Sequence, residues 1–127
     1  MRYVFIGNRK FVLEEMLKKK LKVTILVIKG SHLEHDNILK NKDFSLITSK
    51  QNLMEKLREI TYDILISNGC PYILPIAKME DKLFVNIHPS FLPDLRGIDP
   101  VLGAILHKRD SGATCHLMND KIDSGDI

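Results

Sequence analysis

Asn86 and His88 stand two residues apart at the end of a short apolar run, Leu83-Phe84-Val85-Asn86-Ile87, that reads as a β-strand. Alternate residues of a strand share a face, so the amide and the imidazole point the same way. A primary amide can donate to an oxygen that becomes anionic, and an imidazole can stabilise charge or move a proton. Acyl transfer to an amine needs such a pair. Pro89 and Pro93 stiffen the segment that follows, which runs on to Arg96 and Gly97. Spacing alone leaves two readings open: a catalytic pair, or a strand-end histidine satisfied by ordinary hydrogen bonds.

Two other segments could do chemistry. Gly7-Asn8-Arg9-Lys10 follows the first apolar run and opens a helical pattern, with Asn8 expected at the N-cap, where free backbone N–H groups favour an anion. It has one glycine, so the dinucleotide fingerprint G-x-G-x-x-G is missing. It reads either as a capped strand-to-helix turn or as a phosphate contact made by Asn8, Arg9 and Lys10. Asn68-Gly69-Cys70-Pro71 begins a turn-rich stretch that extends to Pro75. Cys70 is read there as a packing residue, not a nucleophile.

The elements that must position these segments follow from periodicity. Tyr3 to Ile6 is a first strand, and Phe11, Leu13, Met16, Leu17 and Leu21 recur at helical spacing. Val23 to Ile28 is a continuous, largely β-branched run, as expected of a strand buried on both faces of a parallel sheet. The polar stretch 31–42 reads as loop and short helix, Ser45 to Thr48 as a strand, Asn52 to Ile60 as a helix, and Asp63 to Ser67 as a strand. This alternation implies an α/β, Rossmann-like, mostly parallel sheet with helices on both faces. Ligands of such sheets bind beyond the carboxyl ends of the strands, which is where 7–10, 68–75 and 86–97 fall.

Composition bounds the rest. The 127 residues, 44% hydrophobic and 28% charged, suit one globular domain, 1–127. No apolar run approaches the roughly 20 residues of a membrane span. The two cysteines have no disulfide or zinc spacing, so no metal is expected and a reducing, cytoplasmic setting is the default. The net charge of +3 is uneven: residues 1–60 hold thirteen basic and seven acidic side chains, and residues 61–127 hold six and nine. Such an excess can attract a phosphate-bearing substrate or simply decorate solvated helix faces. A nucleic-acid surface would show a denser basic stripe with interleaved aromatics.

The stretch from Asn86 to Pro93, followed by Arg96-Gly97, resembles the signature of the folate-dependent formyltransferases. Gly112-Ala113-Thr114-Cys115-His116 is similar to the family's Gly-x-Thr-x-His strand, and Asp123-Ser124-Gly125-Asp126-Ile127 to its Asp-x-Gly-x-Ile segment. A helix-like stretch from Val101 to Lys108 lies between the two motifs. The resemblance implies the formyltransferase fold and 10-formyltetrahydrofolate as formyl donor. It implies that Asn86, His88 and Asp123 are the catalytic trio. Asn86 would donate to the developing oxyanion, and His88 would stabilise it or carry a proton. Asp123 would orient His88, favour a proton on it, and help relay a proton through water. It further implies that Tyr72, Ile73 and Leu74 line the folate, with Ile73 and Leu74 as its apolar wall, and that Asn119 and Asp120 close the other side. Ser90 is expected to stabilise a turn, and His116 to be structural.

The family's acceptors include methionyl-tRNA, glycinamide ribonucleotide and amino groups on nucleotide-linked sugars. Arg96-Gly97-Ile98-Asp99-Pro100 resembles the tRNA and sugar branches, and Arg96 is expected at the acceptor's phosphate or sugar. A tRNA enzyme is expected to carry a further basic domain for so large a polyanion. The favoured acceptor is therefore an aminosugar nucleotide. A methionyl-tRNA formyltransferase core fragment and a folate-binding module without turnover are the alternatives. A homodimer is compatible with the sequence. Family members continue beyond the position of Ile127, so the core is expected to be incomplete at its C-terminal end, with 123–127 prone to fraying and activity weak or absent.

Overall fold

The computed structural model describes residues 1–79, 81–90, 92, 96–97, 100–108, 110, 112–121 and 123–127. The chain divides into two compact units, Met1–Tyr72 and Ile73–Ile127.

The first unit is a parallel sheet with strands in the order β3-β2-β1-β4, where β1 is Tyr3–Gly7, β2 Val23–Ile28, β3 Phe44–Ile47 and β4 Ile64–Asn68. β1 is central, with Tyr3 to Gly7 in register with Val23 to Val27 on one side and with Ile64 to Asn68 on the other. Phe5, Ile25 and Val27 form a core cluster with Leu13 and Met16 of helix α1 (Phe11–Lys18) and with Leu33 and Leu39. Val4, Ile6 and Leu26, on the alternate positions, are just as buried. Both faces are therefore covered, which is why these strands read as unbroken apolar runs.

Local hydrogen bonding sets the helix boundaries. α1 ends at Lys18, short of Leu21, because Lys20 turns left-handed (φ +54°) while the Lys20 and Leu21 N–H groups close on the Leu17 and Met16 carbonyls. Helix α2 runs Lys50–Glu59 and starts earlier than its apolar spacing indicates. Ser49 Oγ accepts from the Asn52 N–H at 3.0 Å and Asn52 Oδ1 accepts from the Thr48 N–H at 3.1 Å, a reciprocal cap. The polar stretch 31–42 contains two 3-10 turns, His32–His35 and Asn37–Leu39.

At the carboxyl end of β1, Gly7 lies so close to β4 that a Cβ would meet the Asn68 carbonyl oxygen at 2.1 Å. The Asn8 N–H donates to that same oxygen, so Asn8 is held against β4 just past the end of β1. It is not the N-cap: Lys10 holds that position, with no side-chain cap bond.

The second unit is built on an antiparallel pair, β5 (Leu83–His88) and β6 (Thr114–Leu117), with a 3-10 turn at Ile76–Lys78 and helix α3 at Pro100–Leu106. Pro100 takes the first helical position, where its missing N–H costs nothing. Among the described residues, no helix is long and apolar enough to cross a membrane.

Two phenylalanines in the first unit differ sharply in burial. Phe5 is fully buried and Phe11 is 71% exposed. Phe5→Ala should destabilise the chain by about 3–5 kcal/mol, while Phe11→Ala should stay within about 0.5 kcal/mol. Urea unfolding followed by circular dichroism measures both.

Candidate active site

β5 and β6 pair so that Asn86 lies opposite His116 and His88 opposite Thr114. Strand alternation puts all four on one face. On β6 the pattern is strict: Thr114 and His116 are buried while Cys115 and Leu117 are exposed. A face made of a half-buried amide with two buried imidazoles and a buried hydroxyl must be internally hydrogen-bonded to be stable.

Asp123 completes it. Its side chain and that of His88 are each only 6% exposed, with His88 Nδ1 3.2 Å from Asp123 Oδ2. The Gly97 N–H donates to the same Oδ2 at 2.8 Å. Asn86 Nδ2 donates to Oδ1 at 3.1 Å, and His116 Nε2 lies 3.5 Å from Oδ1. The carboxylate can only accept, so His88 Nδ1 carries the hydrogen in this contact. Asp123 itself sits at φ +47°, a left-handed conformation that Asp tolerates better than most residues.

The backbone around the site is held by close contacts. A Cβ on Gly125 would lie 1.6 Å from the Leu117 carbonyl oxygen, so this turn can approach β6 only with glycine there. The Leu117 N–H donates to the Asp126 carbonyl at 2.7 Å, docking the 123–127 segment where fraying was expected. Thr114 Oγ1 donates to the Ser90 carbonyl at 2.6 Å and accepts from the Leu92 N–H at 3.0 Å, fixing the turn that leaves β5. Ser90 is itself buried, and its N–H donates to the His88 carbonyl.

Asn86, His88 and Asp123 are therefore brought together, and His116 joins them. Both Nδ2 hydrogens of Asn86 are engaged, one toward Asp123 Oδ1 and one toward His116 Nε2 at 3.1 Å. Donation to an oxyanion requires one of them to be released. Among the described residues, no group of three or more His, Cys, Asp or Glu is arranged to hold a metal ion.

The residues expected around a folate are placed unequally. Ile73 is half-exposed, whereas Leu74 is buried at 1% and belongs to the core. Asp120 Oδ1 accepts from the Ala77 N–H at 3.1 Å, tying Asp120 to the segment after Ile73 and Leu74. Asn119 Oδ1 is occupied by the Lys121 N–H and Ser124 Oγ, so its side chain shapes the turn. Tyr72 ends the first unit and is partly buried. Asn8, Arg9 and Lys10 also belong to the first unit. Asn8 Oδ1 and Arg9 Nε are buried there without a hydrogen-bond partner among the described residues, while Lys10 Nζ lies 3.8 Å from Asp36 Oδ2. Arg96 is exposed. Ile98 and Asp99 of the Arg96 to Pro100 motif, and Phe91 and Pro93 of the Asn86 to Pro93 stretch, lie outside the described residues. The Gly97 N–H and the pairing of His116 with Asn86 are not apparent from the sequence. The alternation in Gly-x-Thr-x-His signals a shared face for Thr114 and His116, but the β5–β6 register has no local signal.

Burial pushes the Cys70 thiol up to about 11, against a weaker opposing hydrogen bond to the Tyr72 carbonyl. Cys70 is therefore a thiol at pH 8, and Cys115 is exposed. Iodoacetamide at pH 8 should modify Cys115 well before Cys70, as read by peptide mass spectrometry. Gly125→Ala should displace the Asp123 turn and lower any activity of the site by at least about tenfold, the scale of loss that follows displacement of site groups. Circular dichroism should show the sheet retained in that variant.

The sequence profile of the Formyl transferase family matches residues 9–127. The methionyl-tRNA formyltransferase of a Nitratiruptor species is 27% identical over 146 aligned positions, which cover 100% of this chain and 48% of that protein. The dTDP-4-amino-4,6-dideoxyglucose formyltransferase of Mycobacterium bovis is 33% identical over 78 residues, covering 60% of this chain and 33% of its own. The crystal structure of a sugar N-formyltransferase from a Shewanella species superimposes with a TM-score of 0.73 at 21% identity, over 98% of this chain and 54% of that one, and shows the shared fold. The chain thus spans less than half the length of these two curated relatives. With the profile running through the β5 strand, the β6 strand and the Asp123 turn alike, the chain belongs to the formyl transferase family.

Proposed function

We propose that this chain carries the reaction site of an N-formyltransferase that moves a formyl group from 10-formyltetrahydrofolate to a primary amine, most plainly that of an aminosugar nucleotide. The observation that carries this reading is the buried Asp123 carboxylate, which gathers His88 and Asn86 side by side at the end of β5. The bound donor supplies an activated formyl carbon and a folate nitrogen as leaving group. Two proton movements accompany the transfer: one proton leaves the amine, and one reaches the departing nitrogen.

The residues suit those tasks. His88, held through Nδ1 by a carboxylate, is oriented to stabilise negative charge on the formyl oxygen or to carry a proton. Asp123 fixes the orientation of the His88 ring through the contact at Nδ1. Asn86, with both amide hydrogens engaged, turns its carbonyl oxygen away from the carboxylate, where it suits an N–H of the incoming amine. Ile73 offers an exposed apolar side chain next to a segment fastened to Asp120, a combination that fits one face and one edge of a flat, hydrogen-bonding ring.

The acceptor reading rests on different observations. Arg9 Nε is a buried donor without a partner among the described residues, and Asn8 Oδ1 a buried acceptor in the same position. Such groups are costly unless a ligand or water satisfies them. A phosphate ester with neighbouring hydroxyls supplies both complements, and Lys10 adds charge. A relative acting on a dTDP-linked aminosugar supports the same choice.

The test is formyl transfer from 10-formyltetrahydrofolate to a panel of aminosugar nucleotides, with methionyl-tRNA as a separate arm. Weak turnover with the sugars is expected, and His88→Ala should lower kcat by roughly 10²- to 10⁴-fold. Turnover with methionyl-tRNA alone would transfer the acceptor assignment to the tRNA branch. Folate binding without turnover on any acceptor would reduce the chain to a binding module, and full activity in His88→Ala would remove His88 from the reaction.

A further inference from the structure

We infer that His116 is a positioning residue for formyl transfer: as the tautomer with its hydrogen on Nδ1, it fixes which way the Asn86 amide faces. The kinetic part of this inference rests on the function proposed above. The structural part stands on a chain of hydrogen bonds that allows one assignment.

His116 Nδ1 lies 2.9 Å from the Leu117 carbonyl oxygen, which can only accept, so Nδ1 bears the hydrogen. Asn86 faces two groups at once, Asp123 Oδ1 at 3.1 Å and His116 Nε2 at 3.1 Å. Turning the amide over would set its carbonyl oxygen against the carboxylate, acceptor against acceptor in a buried place. Asp123 therefore selects the orientation that directs Nδ2 toward both partners. With one Nδ2 hydrogen on Asp123, the other points at His116 Nε2, which must offer a lone pair. A hydrogen on Nε2 would oppose the Asn86 donor and turn instead to Asp123 Oδ1, 3.5 Å away.

The two histidines around Asp123 thus take opposite roles. His88 donates to the carboxylate, and His116 accepts from the amide that the carboxylate has oriented. The groups that face His116 are Asn86 from β5, the carboxylate of Asp123 and the Leu117 carbonyl, with His88 linked through Asp123. The consequence is that the Asn86 carbonyl oxygen stays on the side away from Asp123, available to hold an N–H of the acceptor amine. The β5–β6 register, with Asn86 directly opposite His116, makes this possible.

The test uses the chain itself with nitrogen-15 labelling, together with His116→Phe and His116→Gln. In the unsubstituted chain, long-range proton–nitrogen spectra should show His116 protonated at Nδ1 and bare at Nε2, and the Asn86 side-chain amide should exchange slowly with solvent. In His116→Phe that protection should be lost. The value of kcat should fall about tenfold or more, as misplacement of reacting groups does, with KM for the formyl donor changed less than about twofold. Gln retains an acceptor, so His116→Gln should keep the Asn86 protection and most of kcat. A hydrogen on Nε2 in the unsubstituted chain would overturn the inference, as would unchanged Asn86 exchange or kcat in a folded His116→Phe, or equal losses in the two variants. If His116→Phe does not fold, the tautomer and His116→Gln decide. If the unsubstituted chain transfers no formyl group to any acceptor, the functional reading falls, and the tautomer and amide exchange alone judge the role of His116.

Discussion

A carboxylate almost entirely removed from water must be surrounded by donors, because leaving an ionised group buried and unpaired costs several kcal/mol. Asp123 meets that requirement with a backbone N–H from Gly97, the amide of Asn86 and a ring N–H of His88. None of the three is close to Asp123 in sequence. Each must be delivered by an element whose position is set independently, and the second unit is organised around that delivery. The β5–β6 register supplies Asn86 and His88, and the contact of Gly125 with Leu117 seats the turn that carries Asp123. The left-handed backbone at Asp123 is tolerated because these contacts over-determine it.

The same constraint explains why β6 carries polar residues on its buried face. A strand that packs on an apolar core would place Val or Ile at positions 114 and 116. Here Thr114 ties down the turn leaving β5, and His116 closes the amide network, so both side chains serve the neighbouring strand. Substituting either by an apolar residue leaves donors or acceptors on the other side without partners, which is the expensive half of breaking a buried hydrogen bond.

The first unit follows a different logic. Its central strands β1 and β2 are covered on both faces and favour apolar side chains of suitable size, and the unit places its polar chemistry at the end of β1. Gly7 is the hinge of that arrangement. The close approach to Asn68 ends the apolar run and holds Asn8 against β4 just past the strand, leaving Lys10 at the start of α1. The strand-to-helix turn therefore keeps an uncapped helix start beside the buried Arg9 Nε.

Much of this was legible in the chain itself. Continuous apolar runs marked β1 and β2, since burial on both faces favours apolar side chains along the strand. Alternation placed Asn86 with His88, because side chains on a strand repeat every two residues. Helix limits were less legible: Ser49 with Asn52, and the left-handed Lys20, act through hydrogen bonds that apolar spacing does not record. The tertiary structure alone decided that Asn86 faces His116, that Gly97 completes the shell of Asp123, and that Leu74 belongs to the core while Ile73 stays exposed. Those are matters of register and of long-range pairing. Local sequence specifies the face on which a residue lies, whereas the partner it meets there depends on how far one strand has slid along another.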